Sequence, residues 1–487
     1  MESFEQYSTL DDMSSEDFRS AGHLLIEWMS TYMDEMESLP VLPRVKPGET
    51  SARCSNTLTA EGESYQDIFE DFESSILPGI THWNHPGFFA YFADGGSVPG
   101  LLGEMLSAVL NVNAMLWKTS PAATELEEST LGILRSLVGL PDEFFGVIND
   151  TASSSSLYAL AAARNQSFPD VGHSGMFGMP KGRIYTSEQS HSSIDKAGIT
   201  LGFGTDGISK VKADSKYRMD PAELRRLIEE DLKSGVVPVA IVATIGTTST
   251  SSIDPVDEIS KIAKEYDIWL HVDAAYGGPA AILHELRPCF SGWELADSIV
   301  MNPHKWLFTP IDCSVLYCQN PGQLRRAFSI VPEYLQGGSD EVTNLMDYGV
   351  SLGRRFRSLK LWFVLRYFGE QGLAKGIRSH CKMASNFASW IEEHPEWELV
   401  APAPFSTVVF RYTGISLTAD QQDEANLSIL EEVNEGGEIF ISHTRLDGKF
   451  VLRLSIGNIQ TKERHVQNAW KILQESSSEW TFARRTS

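Results

Sequence analysis

Between about residue 120 and residue 320, short apolar runs alternate with helix-patterned stretches, and this rhythm leaves few architectures open. Phe145–Ile148, Arg183–Thr186, Val237–Thr244, Ile268–Val272 and Ser298–Met301 each read as a short buried strand. Small, Ser- or Asp-led segments follow them and open helices. Asp220-Pro221 and Asp254-Pro255 repeat one device, an aspartate N-cap with proline at the first helical position, ahead of helices 222–233 and 256–266. Strand after strand with a helix between them predicts an α/β fold, a mainly parallel sheet covered by helices on both faces.

The flanks differ. Ser14-Ser15-Glu16-Asp17 is a helix start, and Phe18, Ala21, Leu25, Trp28, Met29, Tyr32 and Met36 then recur at helical spacing. Such a stripe packs on the main body or on another subunit. Beyond about residue 375, a helix (377–393), an alternating strand (406–412), a helix (423–435), a hairpin (438–444 and 449–455, turned by Asp447-Gly448) and a final helix (462–475) predict a smaller α+β unit. Gly369 to Gly372 makes a hinge between the two. The expected division is 1–95, 96–372 and 373–487.

A net charge of −25 disfavours nucleic acid and anionic membrane as partners, since both need basic patches. No apolar stretch approaches membrane-spanning length. Five cysteines without metal-type spacing, and an acidic start without a basic-then-apolar leader, predict reduced thiols and a cytoplasmic protein.

Two strand ends carry the chemistry. Lys305, in Asn302-Pro303-His304-Lys305-Trp306, follows one apolar run, and Asp273 ends the strand before it. Desolvation at a strand end can lower a lysine's pKa and make its amine a nucleophile. A carboxylate nearby can keep a pyridine nitrogen protonated. The pair fits a pyridoxal phosphate site, and it equally fits a solvated lysine after a turn with a helix-capping aspartate. Thr151-Ala152-Ser153-Ser154 and Gly246-Thr247-Thr248-Ser249, each directly after a strand, are candidate phosphate cradles or plain caps. His191, after the strand ending at Thr186, can stack on a ring or serve the fold.

His271-Val-Asp-Ala-Ala-Tyr276, Asn302-Pro-His-Lys-Trp306, Ser190-His-Ser-Ser193 and Leu352-Gly-Arg-Arg-Phe-Arg-Ser-Leu-Lys-Leu-Trp362 together resemble the group II pyridoxal-phosphate decarboxylases, and among them the aromatic-L-amino-acid decarboxylases. Thr81-His-Trp83, His85-Pro86, Phe88-Phe-Ala-Tyr91 and Ser120-Pro-Ala-Ala-Thr-Glu-Leu-Glu127 agree. The resemblance spans nearly the whole chain. It implies fold type I with a seven-stranded, mainly parallel sheet, pyridoxal 5'-phosphate as cofactor, and a homodimer with sites at the interface. It makes Lys305 the Schiff-base lysine, Asp273 the partner of the pyridine nitrogen and His191 the stacking ring, with Ala275 on the other face. Ala152, Ser153 and Asn302 match phosphate-binding positions, and Thr248 lies beside the cofactor. His304 relays protons or guides the substrate carboxylate. Trp83, Tyr91, Phe92, Asn113, Met115 and Trp117 would line the substrate pocket. Gly353, placed with the cofactor-binding residues, matches a position where some plant relatives carry glycine with indolic substrates and serine with phenolic ones, a pointer to tryptophan or 5-hydroxytryptophan.

The implied reaction is decarboxylation of an aromatic L-amino acid to the aryl amine. The alternatives on this fold are an aromatic aldehyde synthase, a decarboxylase of another amino acid such as histidine, and a non-catalytic paralogue. The segment from Ser329 to Asp340 resembles a catalytic lid, and Tyr334 matches the tyrosine that protonates Cα. Relatives with phenylalanine at that tyrosine, or asparagine at the stacking histidine, tend toward aldehyde synthesis; Tyr334 and His191 favour decarboxylation. Four residues depart from the family. Asp150 replaces a glycine before the phosphate cradle, where a carboxylate is unfavourable unless it turns away. Asp94 stands where a small uncharged residue is usual, and Asn113 and Met115 are also unusual.

Overall fold

The computed structural model describes residues 10, 12–54, 57, 58, 60–92, 94–329 and 342–486. Seven strands form the larger sheet: β1 (Phe145–Asn149), β2 (Gly182–Ser187), β3 (Ile208–Val211), β4 (Val237–Thr244), β5 (Trp269–Asp273), β6 (Ser298–Met301) and β7 (Ser314–Cys318). Their order is β1-β7-β6-β5-β4-β2-β3. β7 runs antiparallel to both its neighbours and the remaining pairs are parallel. The strands predicted from apolar runs are present, and β3 and β7 are additions. β4 is buried from Val239 to Thr244 and β5 throughout, as expected for strands covered on both faces.

The helices do the covering. Ala152–Ser167 lies across the sheet with Ala159 to Ala163 buried, small side chains that let helix and sheet approach closely. That helix begins at Ala152, at the Ser/Thr cluster itself, with Thr151 as its cap. Asp220 caps the helix Pro221–Lys233 as predicted, accepting from the Ala222 and Glu223 N–H groups. Asp254 does not cap the helix Val256–Tyr266. Its carboxylate turns back to accept the Met219 N–H (2.7 Å) and the Thr244 N–H (2.8 Å), and Pro255 occupies the cap position. The buried amides left open between β4 and the preceding loop claim it.

The smaller sheet has the order β10-β11-β9-β8, all antiparallel: β8 (Trp397–Leu399), β9 (Thr407–Tyr412), β10 (Ser442–Leu446) and β11 (Lys449–Ser455). The hairpin turn falls at Asp447-Gly448, but its first strand starts at Ser442 instead of Glu438. Phe440 instead bridges Phe88, and the Phe89 N–H donates to the Phe440 carbonyl (2.8 Å). The stretch 82–92 is thereby stitched to the small sheet, with Ser455 N–H donating to the Phe89 carbonyl (2.8 Å). The predicted hinge is a kink inside one long helix, Arg357–Glu393, where Gly369 takes a left-handed φ of +62°.

Candidate active site

Residues 302–309 follow β6, and apart from Lys305 every one of them is buried. The run is fixed by backbone bonds that leave the lysine no alternative. The Asn302 N–H donates to the Ala275 carbonyl (3.0 Å), and the Ala275 N–H donates to Asp273 Oδ1 (3.1 Å). The ends of β5 and β6 are thus linked through Ala275, which sets Asp273, Ala275, Asn302 and Lys305 side by side.

Burial lowers the Lys305 pKa; Asp273 and Asp94 pull it up and Arg453 pushes it down. The amine stands over the ring of Phe92, 5.1 Å from its centroid. That ring stacks on Tyr276 at 3.9 Å, and Tyr276 stacks on Trp306 at 5.0 Å. The aromatic column anchors the lysine's surroundings: Trp306 is fully buried and its Nε1–H donates to His380 Nδ1 (3.0 Å).

His191 lies close enough to Asp273 and Lys305 to interact with both. Its Nδ1 accepts the Ser193 N–H (3.1 Å) and contacts Ser193 Oγ (2.8 Å), which fixes the ring and puts the neutral form's proton on Nε2. Packing on one side draws its pKa down, while the ring remains exposed toward the cleft. His304 is buried, and burial followed by the charge of Lys305 pushes its pKa down to about 4.

The polar groups around Lys305 fit the cofactor that this arrangement implies. Asn302 Oδ1 is buried and unbonded, Ser153 is exposed at the first turn of its helix, and the helix N-terminus offers free N–H groups for an anion. Asp273 and the exposed face of His191 complete a fit to a phosphorylated pyridine. Asp150 does not spoil it: its carboxylate accepts the Thr151 N–H (2.6 Å) and faces the Arg357 guanidinium. The second cradle behaves differently. Thr247 Oγ1 is within 2.9 Å of the Thr250 hydroxyl and accepts the Ser252 N–H (3.0 Å), so it closes its own turn and leaves Thr248 exposed at the rim.

Residues 47–413 match the family described as the pyridoxal-dependent decarboxylase conserved domain. The chain belongs to the pyridoxal-dependent decarboxylases. Its cofactor is pyridoxal phosphate. The chain is 42% identical to tyrosine decarboxylase 2 of Arabidopsis thaliana, across 96% of this chain and 88% of that one. It is 40% identical to the phenylacetaldehyde synthase of the same plant, across 96% and 97%. A TDC of Oryza sativa solved with PLP and tryptamine superposes with a TM-score of 0.94, at 36% identity, covering 97% of this chain and all of that one. This decarboxylase therefore sits among relatives of two activities.

The remaining sequence candidates fall into two groups. Trp83 stacks on Tyr91 (6.0 Å), and both rings are exposed next to Phe92 and Asp94. Asn113, Met115 and Gly353 meet elsewhere: Asn113 Oδ1 accepts the Arg354 N–H (3.0 Å), Asn113 Nδ2 donates to Met115 Sδ (3.2 Å), and a Cβ on Gly353 would come 4.0 Å from Asn113 Nδ2. Trp117 donates from Nε1 to Glu125 (2.8 Å). No recorded contact joins this second group to Lys305 within one chain among the described residues. Tyr334 lies outside the described residues, as does all of the Ser329–Asp340 lid segment apart from Ser329.

Arg453 was missed from the sequence. It reaches in from β11, donating to the carbonyls of Ser249 (3.0 Å) and Tyr91 (3.1 Å), and stands 5.0 Å from the Phe92 centroid. Its Nη2 is buried without a partner. Burial lowers its pKa to about 10, so it stays cationic beside the lysine. The signal was an arginine between two leucines in a strand whose residues 450–455 are all buried.

Proposed function

We propose that the chain removes the carboxyl group of aromatic L-amino acids and releases the aryl amine and carbon dioxide. The observation that carries this is Lys305 itself, a nucleophilic amine at lowered pKa between Asp273 and Asp94, over the ring of Phe92. Bound there, pyridoxal phosphate supplies an electron sink for the pair left on Cα when the Cα–carboxylate bond breaks.

The chain's own residues do the rest. Lys305 would hold the cofactor through its amine. Asp273, buried and oriented by the Ala275 N–H, holds a proton at the ring nitrogen. His191, pinned by Ser193, would cover one face of the bound ring, and Ala275 would pack on the other. Ala152, Ser153 and Asn302 hold the phosphate. His304, neutral with Nδ1 occupied by the Cys313 N–H, has an Nε2–H to offer the substrate carboxylate. Tyr334, by resemblance, delivers the proton to Cα. The substrate pocket combines Trp83, Tyr91 and Phe92 with Asn113, Met115, Trp117 and Gly353 of a second copy, which makes the working form a homodimer.

Exposed apolar residues Leu102, Leu106, Val109 and Leu110 on the helix Val98–Leu110 support that pairing, as do Phe18, Leu24 and Ile26 on Ser15–Glu35. Division at 1–95, 96–372 and 373–487 and a cytoplasmic location accompany the reading; all five cysteines are free, and no helix of the described residues is long and apolar enough to cross a membrane.

The test is product mass and carbon dioxide release from cofactor-loaded protein given tryptophan, 5-hydroxytryptophan, tyrosine, dopa, phenylalanine and histidine separately. Aryl amine with one carbon dioxide supports the reading. Aldehyde with ammonia and peroxide selects the synthase reading instead, which the phenylacetaldehyde synthase relative motivates.

A further inference from the structure

Away from Lys305, two tryptophans share one groove on the smaller unit. Trp390 lies near the end of the helix Arg357–Glu393, and Trp470 lies on the helix Glu463–Thr486. Both meet the fully buried Phe387 edge-on, at centroid distances of 6.2 and 5.9 Å. Trp470 is held further by edge contacts with Trp397 (5.4 Å) and His394 (5.8 Å). The indoles are thus fixed in place, yet each remains partly exposed. With Glu393, His394 and Gln467 they line a cavity of about 310 Å³.

No lysine or arginine lines this cavity, and Glu393 is exposed at its wall. Nearby cations of the last helix are engaged elsewhere, Arg464 with Glu37 and Lys471 with Glu475. Glu392 and Glu393 also end the helix Arg357–Glu393, whose last turn contains no basic residue. The carboxyl end of a helix carries partial negative charge and is stabilised by a cation. Here two carboxylates add to that charge, beside two indoles. An ammonium ion is attracted by a carboxylate, by a helix carboxyl end and by an indole face. An aromatic ring on the same molecule packs against the second indole. A free amino acid fits worse, because its carboxylate meets Glu393 and finds no lysine or arginine on these walls.

We propose that this groove is a second binding site, one that takes arylalkyl ammonium ions and excludes the corresponding amino acids. The class includes the amines of the proposed reaction. Binding here needs no turnover, so the inference goes beyond the decarboxylase reading and is tested apart from it.

The experiment uses holoenzyme reduced with borohydride, which fixes the cofactor to Lys305 and prevents exchange with an added amine. 2-Phenylethylamine and phenylalanine are titrated by calorimetry on wild type, Glu393→Gln and Trp470→Leu. The amine is expected to bind wild type at a site that phenylalanine does not occupy. Glu393→Gln should weaken it about two- to fivefold, and Trp470→Leu about fivefold or more. Added salt should weaken binding to wild type more than to Glu393→Gln. Glu393 is exposed, so its variant guards against a packing defect in Trp470→Leu. Amine affinity unchanged in Glu393→Gln would overturn the inference, since the amine would then occupy the catalytic cleft alone. So would equal binding of phenylalanine, or no binding of the amine. Decarboxylation, measured on the unreduced enzyme, stands or fails independently of these results.

Discussion

The Cys313 N–H donates to His304 Nδ1 at 3.0 Å, and the His304 N–H returns a bond to the Cys313 carbonyl at 3.3 Å. His304 is thereby a structural clamp on the lysine loop as well as a neighbour of Lys305. Replacing it with alanine strands a buried N–H, and the expected loss is about 1–3 kcal/mol of stability by urea unfolding. Because its pKa lies near 4, it stays neutral above pH 5, and the pH–rate profile of the wild type should show no step that His304→Gln removes between pH 5.5 and 9. Lys305 and Asp273 could be singled out in the sequence because Asp273 ends one apolar run and Lys305 follows the next within four residues. Arg453 was not, because its strand lies in another unit and only folding brings the guanidinium to Phe92. Asp94 was visible as a departure, but its pull on Lys305 was not.

At the scale of elements, the helix Val98–Leu110 packs along Arg357–Glu393 through glycines. A Cβ on Gly103 would come 2.7 Å from Lys360 Cα, a backbone atom that cannot yield. Gly103→Ala is expected to cost about 1–3 kcal/mol through overpacking, read as a lowered thermal midpoint. Gly132 is the control: it lies inside the helix Pro121–Val138 with nothing within 4 Å of its added Cβ. Gly132→Ala should stabilise by about 0.5–1 kcal/mol from helix propensity alone. Most elements could be read from periodicity and capping residues. Asp254 shows where that reading fails. Asp-Pro before an apolar run is a cap by local rules, yet two buried amides from distant segments compete for the carboxylate and win.

At the scale of the molecule, three fully or nearly buried histidines, His271, His304 and His380, are held neutral, each pushed down to about 4 chiefly by burial. His271 sits between the hydroxyls of Ser298 (2.9 Å) and Ser156 (3.0 Å), and His380 accepts from Trp306. A depressed histidine pKa means that the unfolded chain binds the proton first. Their contribution is therefore complete above about pH 6.5 and is lost as pH falls from there toward 4. Asp94 and Asp254, whose carboxyls burial pushes up to about 6 and about 7, act in the opposite sense in the same window, so stability is expected to fall from pH 7 to pH 5 by less than the three histidines alone would give, as read from denaturant midpoints at pH 7, 6 and 5. The exposed apolar face of Val98–Leu110 makes a separate prediction. On the proposed homodimer, Leu106→Glu with Val109→Glu should shift the sedimenting species from dimer to monomer and abolish activity, since the proposed pocket draws Asn113, Met115 and Gly353 from a second copy.

The alternation of strands and helices apart from β3 and β7, the lysine after β6, the carboxylate ending β5 and the Ser/Thr-led helix start could be read from sequence alone, since each depends on side-chain type at a spacing of a few residues. The tertiary structure decided which charges share a space. Asp94, Arg453 and Lys305 are far apart in the chain, and they influence one another because folding brings them together around the Phe92 ring, where burial weakens screening by water.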